Sequence, residues 1–485
     1  MSSLIHSTGS PYRDGPRFDL ARDLPMSISG RFTVAVAGDI VITRPIGQLA
    51  HPEVVEAIAP FQRADLAIGN LEQTIADRRT FAGHPYGVPA FLIMAEPSVA
   101  RDLAKMGFRL LGRANNRLSD FGVEGNRETD RHLREAGIQT VGFGEHLADA
   151  RAPAYVDLPQ GRVGAVSATT HVNHGLDAVF GAAARVGLSN GRPGANSIRV
   201  SRTIVLPEGS WTALKDFVSE HLYAFPGTFA VQSSVMVYND KFQIGNDLYV
   251  AGHSPAYRYE VDADDLRALL RSVTTAATYS DFTVCFLHGH QWAIDPIDPK
   301  GGIAGETSDP PDYLSALARK VIDAGADIFC MTGPFDFRAV EIYRAKPIFY
   351  GLGSFLRQAY MQEVLSWESY RPRQFGGREY DGIDPHSTDM SDAEILLSRA
   401  PSHPGAYFES ATATCMYDNG VISEIMIEPI DLSLSSSTSA LGIPKRARGQ
   451  LAQRILDRIS RNCAKFGTTV RITADHRGII KPDPQ

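Results

Sequence analysis

Side chains able to move protons or grip an anion recur in this sequence where strand-like apolar runs break. Asp39 follows "RFTVAVAG", Asn70 and Glu72 interrupt "DLAIGNLEQTI", and Asn115-Asn116-Arg117 closes the run that ends in "GFRLLGRA". His288-Gly289-His290 ends "FTVCFLHGH", and Thr332-Gly333-Pro334-Phe335 ends "ADIFCMTGPF". Polar groups at successive strand ends can converge on one pocket, which groups scattered along helices cannot do. A histidine beside a carboxylate can exchange a proton near neutral pH, so His288 with Asp39 or Glu72 forms a candidate acid/base pair. Arg117, Asn115 and Asn116 would hold a substrate carboxylate or a developing oxyanion, with His290, Thr332 and Phe335 lining the same pocket.

The elements that must position these groups alternate in type. "PEVVEAIAPFQRA", "PSVARDLAKM", "NRETDRHLREAG" and "PDYLSALARKVIDAG" have helical spacing and fall between the apolar strands, with Gly137 as a helix stop. Such alternation predicts a layered α/β domain over 31–357, preceded by an extension at 1–30. Gly- and Pro-rich breaks around "NGRPGANSIRV" mark an insertion at about 175–248. Residues 358–408 read as a long covering loop, and 409–485 as strands and a helix that complete the same domain.

Composition removes several functions. The chain has 485 residues, 43% of them hydrophobic, and a net charge of −7, with no Lys/Arg-rich run to grip a nucleic acid backbone or an acidic membrane face. No long apolar segment spans a bilayer and the first residues lack a secretory pattern, so the expectation is a cytoplasmic protein without a membrane span, compatible with a homo-oligomer. The four cysteines are far apart and suit buried thiols rather than a disulfide frame. No nucleophile elbow, P-loop or dinucleotide fingerprint is present.

The ordered blocks "VAGDI", "ADLAIGNLE", "RANNRLSDFGVEG", "AGIQTVGFG", "LHGH", "VEIY" and "KPIFYGLGSF" resemble those of the CapA family, named for poly-γ-glutamate capsule synthesis. The resemblance implies an α/β/β/α sandwich of the calcineurin-like, metallo-dependent phosphatase type. It also implies a two-metal site in which Asp39, Glu72, Asn116 and His288 match family ligands. Two-metal hydrolases use one ion to polarise the scissile bond and the other to lower the pKa of the attacking water.

This chain departs from that pattern at three positions. Arg117 stands where the family has the histidine of Asn-Asn-His, and Thr332 and Phe335 stand where it has the two histidines of Gly-His-x-Pro-His. Each ion loses a ligand, and Asp39, Glu72, Asn116 and His288 could hold one Mn or Zn ion at best. The expectation is therefore no bound metal and no cofactor. The chain would be a hydrolase cleaving an amide, γ-glutamyl, peptide or ester bond of a small or peptidic carboxylate substrate by acid-base chemistry. A metal-independent epimerase or isomerase and a non-catalytic polyglutamate-binding protein are the alternatives.

Overall fold

The computed structural model describes residues 27–86, 92–170, 180–220, 235–237, 240–244, 247–291, 309–334, 337–360, 370, 373–375, 378–380, 382–384, 386–391, 394–395, 408–432 and 440–482. Phe335, most of the expected covering loop and nearly all of the expected N-terminal extension lie outside the described residues.

The first layers are β1 (Arg31–Val41), α1 (Pro52–Arg63), β2 (Leu66–Leu71), α2 (Ser98–Lys105), β3 (Phe108–Gly112), α3 (Gly122–Glu135) and β4 (Gln139–Val141). The next stretch holds β5 (Ala154–Leu158), β6 (Gly161–Thr169), β7 (Val200–Pro207), α4 (Glu208–Glu220), β8 (Val235–Val237), β9 (Lys241–Ile244), β10 (Asp247–Gly252) and β11 (Ala256–Val261). The chain continues through α5 (Ala263–Thr278), β12 (Phe282–His288), α6 (Asp312–Asp323), β13 (Ile328–Thr332), β14 (Val340–Tyr343), β15 (Lys346–Phe349) and β16 (Ser354–Arg357). It closes with β17 (Glu409–Asp418), β18 (Val421–Asp431), α7 (Gly449–Ala464) and β19 (Gly478–Ile480).

One sheet runs β19-β18-β17-β1-β2-β3-β4, and a second runs β14-β15-β13-β12-β6-β5. Side chains alternate along β1, as a strand requires. Val34 and Val36 join Phe282, Val284 and Phe286 of the second sheet in one buried cluster. Ala35 and Ala37 face the other way, onto Val54, Ile58 and Phe61 of α1 and Leu103 of α2. Helices α5 and α6 cover the outer face of the second sheet through Leu269, Val273, Leu317 and Val321. The result is the α/β/β/α sandwich implied by the resemblance.

Local signals set the helix ends. Proline opens α1, where its missing N–H costs nothing, and the Asp262 side chain accepts from the N–H groups of Asp264 and Asp265 at the start of α5. A separate five-stranded sheet, β8-β9-β10-β7-β11, occupies Val200 to Val261. Its last strand lies beyond the boundary expected for the insertion at residue 248, because Gly252 ends one strand and "AYRYEV" begins another in the same sheet.

Parallel pairing carries the chemistry to one edge. Asp39 pairs with Asn70 and Asn70 with Gly112 in the first sheet, and His288 pairs with Thr332 in the second. These positions end their strands at the same rim of the sandwich. Strand β1 changes neighbour there, from antiparallel β17 to parallel β16, and Asp39 donates its N–H to the Gly353 carbonyl at 2.9 Å. Only glycine fits at position 38, since a Cβ would lie 1.9 Å from the Gly353 oxygen.

Candidate active site

Asp39 and His288 come from facing sheets and meet at the rim, both 1% exposed. Asp39 Oδ1 lies 3.6 Å from His288 Nδ1. Asp39 accepts from Asn70 Nδ2 through Oδ1 at 2.8 Å and from the Gly333 N–H through Oδ2 at 2.9 Å. Gly333 has φ 102°, a conformation that favours glycine and that aims this N–H at the carboxylate.

The His288 ring is bracketed. Its Nδ1 lies 3.0 Å from Thr332 Oγ1 and 3.2 Å from Asn70 Nδ2, and its Nε2 lies 3.0 Å from Asn116 Oδ1. The loop that carries it on to His290 is held by Gln291, whose Nε2 donates to the Thr170 carbonyl at 2.9 Å, and by Tyr313, whose hydroxyl donates to Gln291 Oε1 at 3.2 Å.

Glu72 is buried beside Asp39 at the end of β2. Burial first, and then the Asp39 charge, raise its carboxyl to about 7, against the lowering pull of His288, Arg117 and Arg357. Arg117 Nε lies 3.8 Å from Glu72 Oε1, and its Nη1 lies 3.4 Å from Asp120, a buried carboxyl that desolvation raises to about 6. Ligand atoms of Glu72, His288 and His290 fall within 4.8 Å of one another, and the His288 and His290 ring centres are 5.1 Å apart.

Asp39, Glu72, Asn116, Arg117, His288, His290 and Thr332 are thus gathered at one rim. Asn115 is gathered there too, but its amide is turned inward: Oδ1 accepts from the Arg117 N–H at 3.1 Å, while Nδ2 donates to the Leu71 carbonyl at 2.8 Å and to Asn70 Oδ1 at 3.1 Å. One contributor escaped the sequence reading: Arg357, whose charge lowers the Glu72 carboxyl, is brought to this rim because β16 runs parallel to β1, where Asp39 pairs with Ser354, and no local pattern signals such a long-range pairing.

Both oxygens of Asp39 accept from N–H donors, and Thr332 and Gly333 occupy the turn in which the resemblance places a histidine ligand. A single ion would draw on Glu72, His290 and the nitrogen of His288 that faces Asn116.

The sequence profile of the bacterial capsule synthesis protein family, PGA_cap, matches residues 33–359. The chain belongs to this family. Two uncharacterized proteins of Sinorhizobium fredii, y4sH and y4uA, are each 30% identical to this family member over 99% of its length and 100% of theirs. A Mycobacterium tuberculosis protein named "Probable polyglutamine synthesis accessory protein" is 29% identical over 70% of this chain and 63% of its own. The "Capsule biosynthesis protein CapA" of Bacillus anthracis is 23% identical over 29% of this chain and 35% of its own. Among the described residues no helix is long and apolar enough to cross a membrane.

Proposed function

We propose that this family member is a hydrolase that cleaves an amide, γ-glutamyl, peptide or ester bond in a carboxylate-bearing substrate of the polyglutamate type, by acid-base chemistry and without a two-metal centre. The observation that carries this reading is Glu72, whose carboxyl is raised to about 7 and lies 3.8 Å from the Arg117 guanidinium. A carboxyl with that pKa is present in both protonation states near neutrality, which suits a group that must take and return a proton. The names of the capsule and polyglutamine relatives support the substrate class.

In the proposed reaction Glu72 removes a proton from water as its oxygen bonds to the substrate carbonyl carbon. Arg117 faces the oxyanion or a substrate carboxylate as a fixed cation, and Asp120 holds that cation in place. Glu72 then returns its proton to the leaving nitrogen or oxygen as the bond to carbon breaks. Asp39 raises Glu72 and, with Asn70 and Thr332, fixes the His288 ring. No step passes through a metal ion.

A second proton carrier, His290, lies within 4.8 Å of Glu72, and this favours the epimerase as the second reading. Incubation with poly-γ-glutamate and γ-glutamyl peptides in deuterated water, followed by mass and chiral analysis, separates the readings. Shortened chains that disappear with Glu72→Gln are expected. Deuterium at an inverted α-carbon with no cleavage would replace hydrolysis by epimerisation. Tight binding with neither change would leave a binding protein.

A further inference from the structure

We infer that Asn115 and Asn70 form a relay of amide dipoles that fixes the proton of the His288 ring on Nε2, making His288 a hydrogen-bond donor toward Asn116 and unfit to ligate a metal ion through that nitrogen. Polarity is set first at Asn115, by two backbone groups that cannot exchange roles. The Arg117 N–H can only donate, so the Asn115 atom 3.1 Å from it is Oδ1. The Leu71 carbonyl can only accept, so the atom 2.8 Å from it is Nδ2.

The second hydrogen of Asn115 Nδ2 points to Asn70 at 3.1 Å, which makes the facing atom Oδ1 and leaves Asn70 Nδ2 toward Asp39 and His288. Asp39 is an acceptor and agrees with this orientation. His288 Nδ1 then faces an N–H donor at 3.2 Å, and a hydrogen on Nδ1 would oppose it. Nδ1 therefore presents its lone pair, and the Thr332 hydroxyl donates to it at 3.0 Å. A neutral imidazole carries one hydrogen, which falls on Nε2 and is donated to Asn116 Oδ1 at 3.0 Å.

Distance alone lets Glu72, His288 and His290 close on one ion. Polarity opposes it, because a ligating Nε2 needs its lone pair and the displaced hydrogen would have to sit on Nδ1 against the Asn70 amide. Outer-shell partners of this kind change metal affinity by roughly 10–100-fold. Asn70 and Asn115 are positioning residues, acting on the pocket through His288. The inference deepens the metal-independent reading above, yet its test uses no turnover.

The test is nitrogen NMR of protein labelled at its 14 histidines, with the His288 signals identified by their loss in His288→Gln. The expected spectrum at pH 8 has His288 Nε2 protonated and Nδ1 bare. Asn70→Asp replaces the N–H donor with an acceptor, so the proton should move to Nδ1, and Mn²⁺ affinity by calorimetry should rise roughly 10–100-fold over the unaltered protein. A proton on Nδ1 of the unaltered protein overturns the inference, as does Mn²⁺ binding to the unaltered protein as tight as to Asn70→Asp. If that variant does not fold, the spectrum of the unaltered protein decides alone. Absent turnover with the expected spectrum would defeat the hydrolase reading and leave this one standing.

Discussion

The Thr332 hydroxyl lies 3.0 Å from His288 Nδ1, and the next residue, Gly333, donates its N–H to Asp39 at 2.9 Å. The turn in which the CapA pattern places two histidines thus supplies a hydroxyl and a backbone N–H instead. Arg117 lies 3.8 Å from Glu72, and its charge and that of Arg357 favour the ionised Glu72 carboxylate. Dipoles and guanidinium groups fixed by the fold can stabilise developing negative charge without reorganising, which is what the proposed metal-independent chemistry requires.

Chelation is the direct check on this arrangement. Turnover should stay within about twofold after exhaustive dialysis against EDTA, because the proposed reaction routes no step through an ion. Activity lost on chelation and restored by Mn²⁺ or Zn²⁺, with two ions per chain by elemental analysis, would return the protein to two-metal hydrolysis.

Arg117 lowers the Glu72 carboxyl, so its removal should let burial and Asp39 push that group further up. In Arg117→Met the rising limb of kcat/KM against pH should therefore move to higher pH than in the unaltered protein, where a Glu72 carboxyl raised to about 7 sets its expected position. The rate should also fall about 10–100-fold through loss of the cation facing the oxyanion. A limb that stays in place would remove Glu72 from the role of proton carrier.

Much of this was legible in the sequence because strand ends announce themselves. The runs before Asp39, His288 and Thr332 are buried strands that break at polar residues, and parallel pairing brings such breaks to one rim. What the sequence withheld is direction and polarity. Asn115 and Asn116 are adjacent and alike, yet one amide faces Asn70 inside the site and the other meets His288 Nε2. Which atom of Asn70 meets His288 depends on the backbone groups of Arg117 and Leu71, and no spacing encodes that. The extent of the five-stranded sheet was hidden for a similar reason, since β11 pairs antiparallel with β7 across more than fifty residues.

Glu72→Gln should abolish turnover and stabilise the fold at alkaline pH. The folded carboxyl is raised from 4.5 to about 7, so the fold favours its protonated form. That contribution is fully present below 4.5 and is lost as pH rises through 7. Glutamine stays neutral throughout, so its advantage should be small in acid, grow between those values and reach the order of 1–3 kcal/mol above them. Denaturant unfolding at pH 5 and pH 8.5 measures it, and equal stability at both would contradict the raised carboxyl.

Gly38→Ala tests the crossing of β1 and β16. Its Cβ would meet the Gly353 oxygen at 1.9 Å, a backbone atom held by the Asp39 N–H. The strands must part, and a loss of more than about 3 kcal/mol, or failure to fold, is expected. A variant with unchanged unfolding midpoint would show that the crossing is loose.

Asp39→Asn separates charge from shape in the same pocket. The carboxylate accepts on both oxygens, from Asn70 Nδ2 and from the Gly333 N–H. Asparagine offers one oxygen and one N–H₂, so whichever way it turns, one donor must face another. Leaving a buried donor unmet costs about 1–3 kcal/mol, which a stable domain can survive. Removing the Asp39 charge also removes one of the two causes that raise Glu72, so its carboxyl should fall. The pH limb of Asp39→Asn should then move toward acid, opposite to the shift in Arg117→Met. Its maximal rate should drop at least 100-fold, because the donors that held Asp39 and the His288 ring are displaced together. Opposite shifts in the two variants, measured on folded protein by circular dichroism, would tie both charges to Glu72, and shifts in the same direction would break that link.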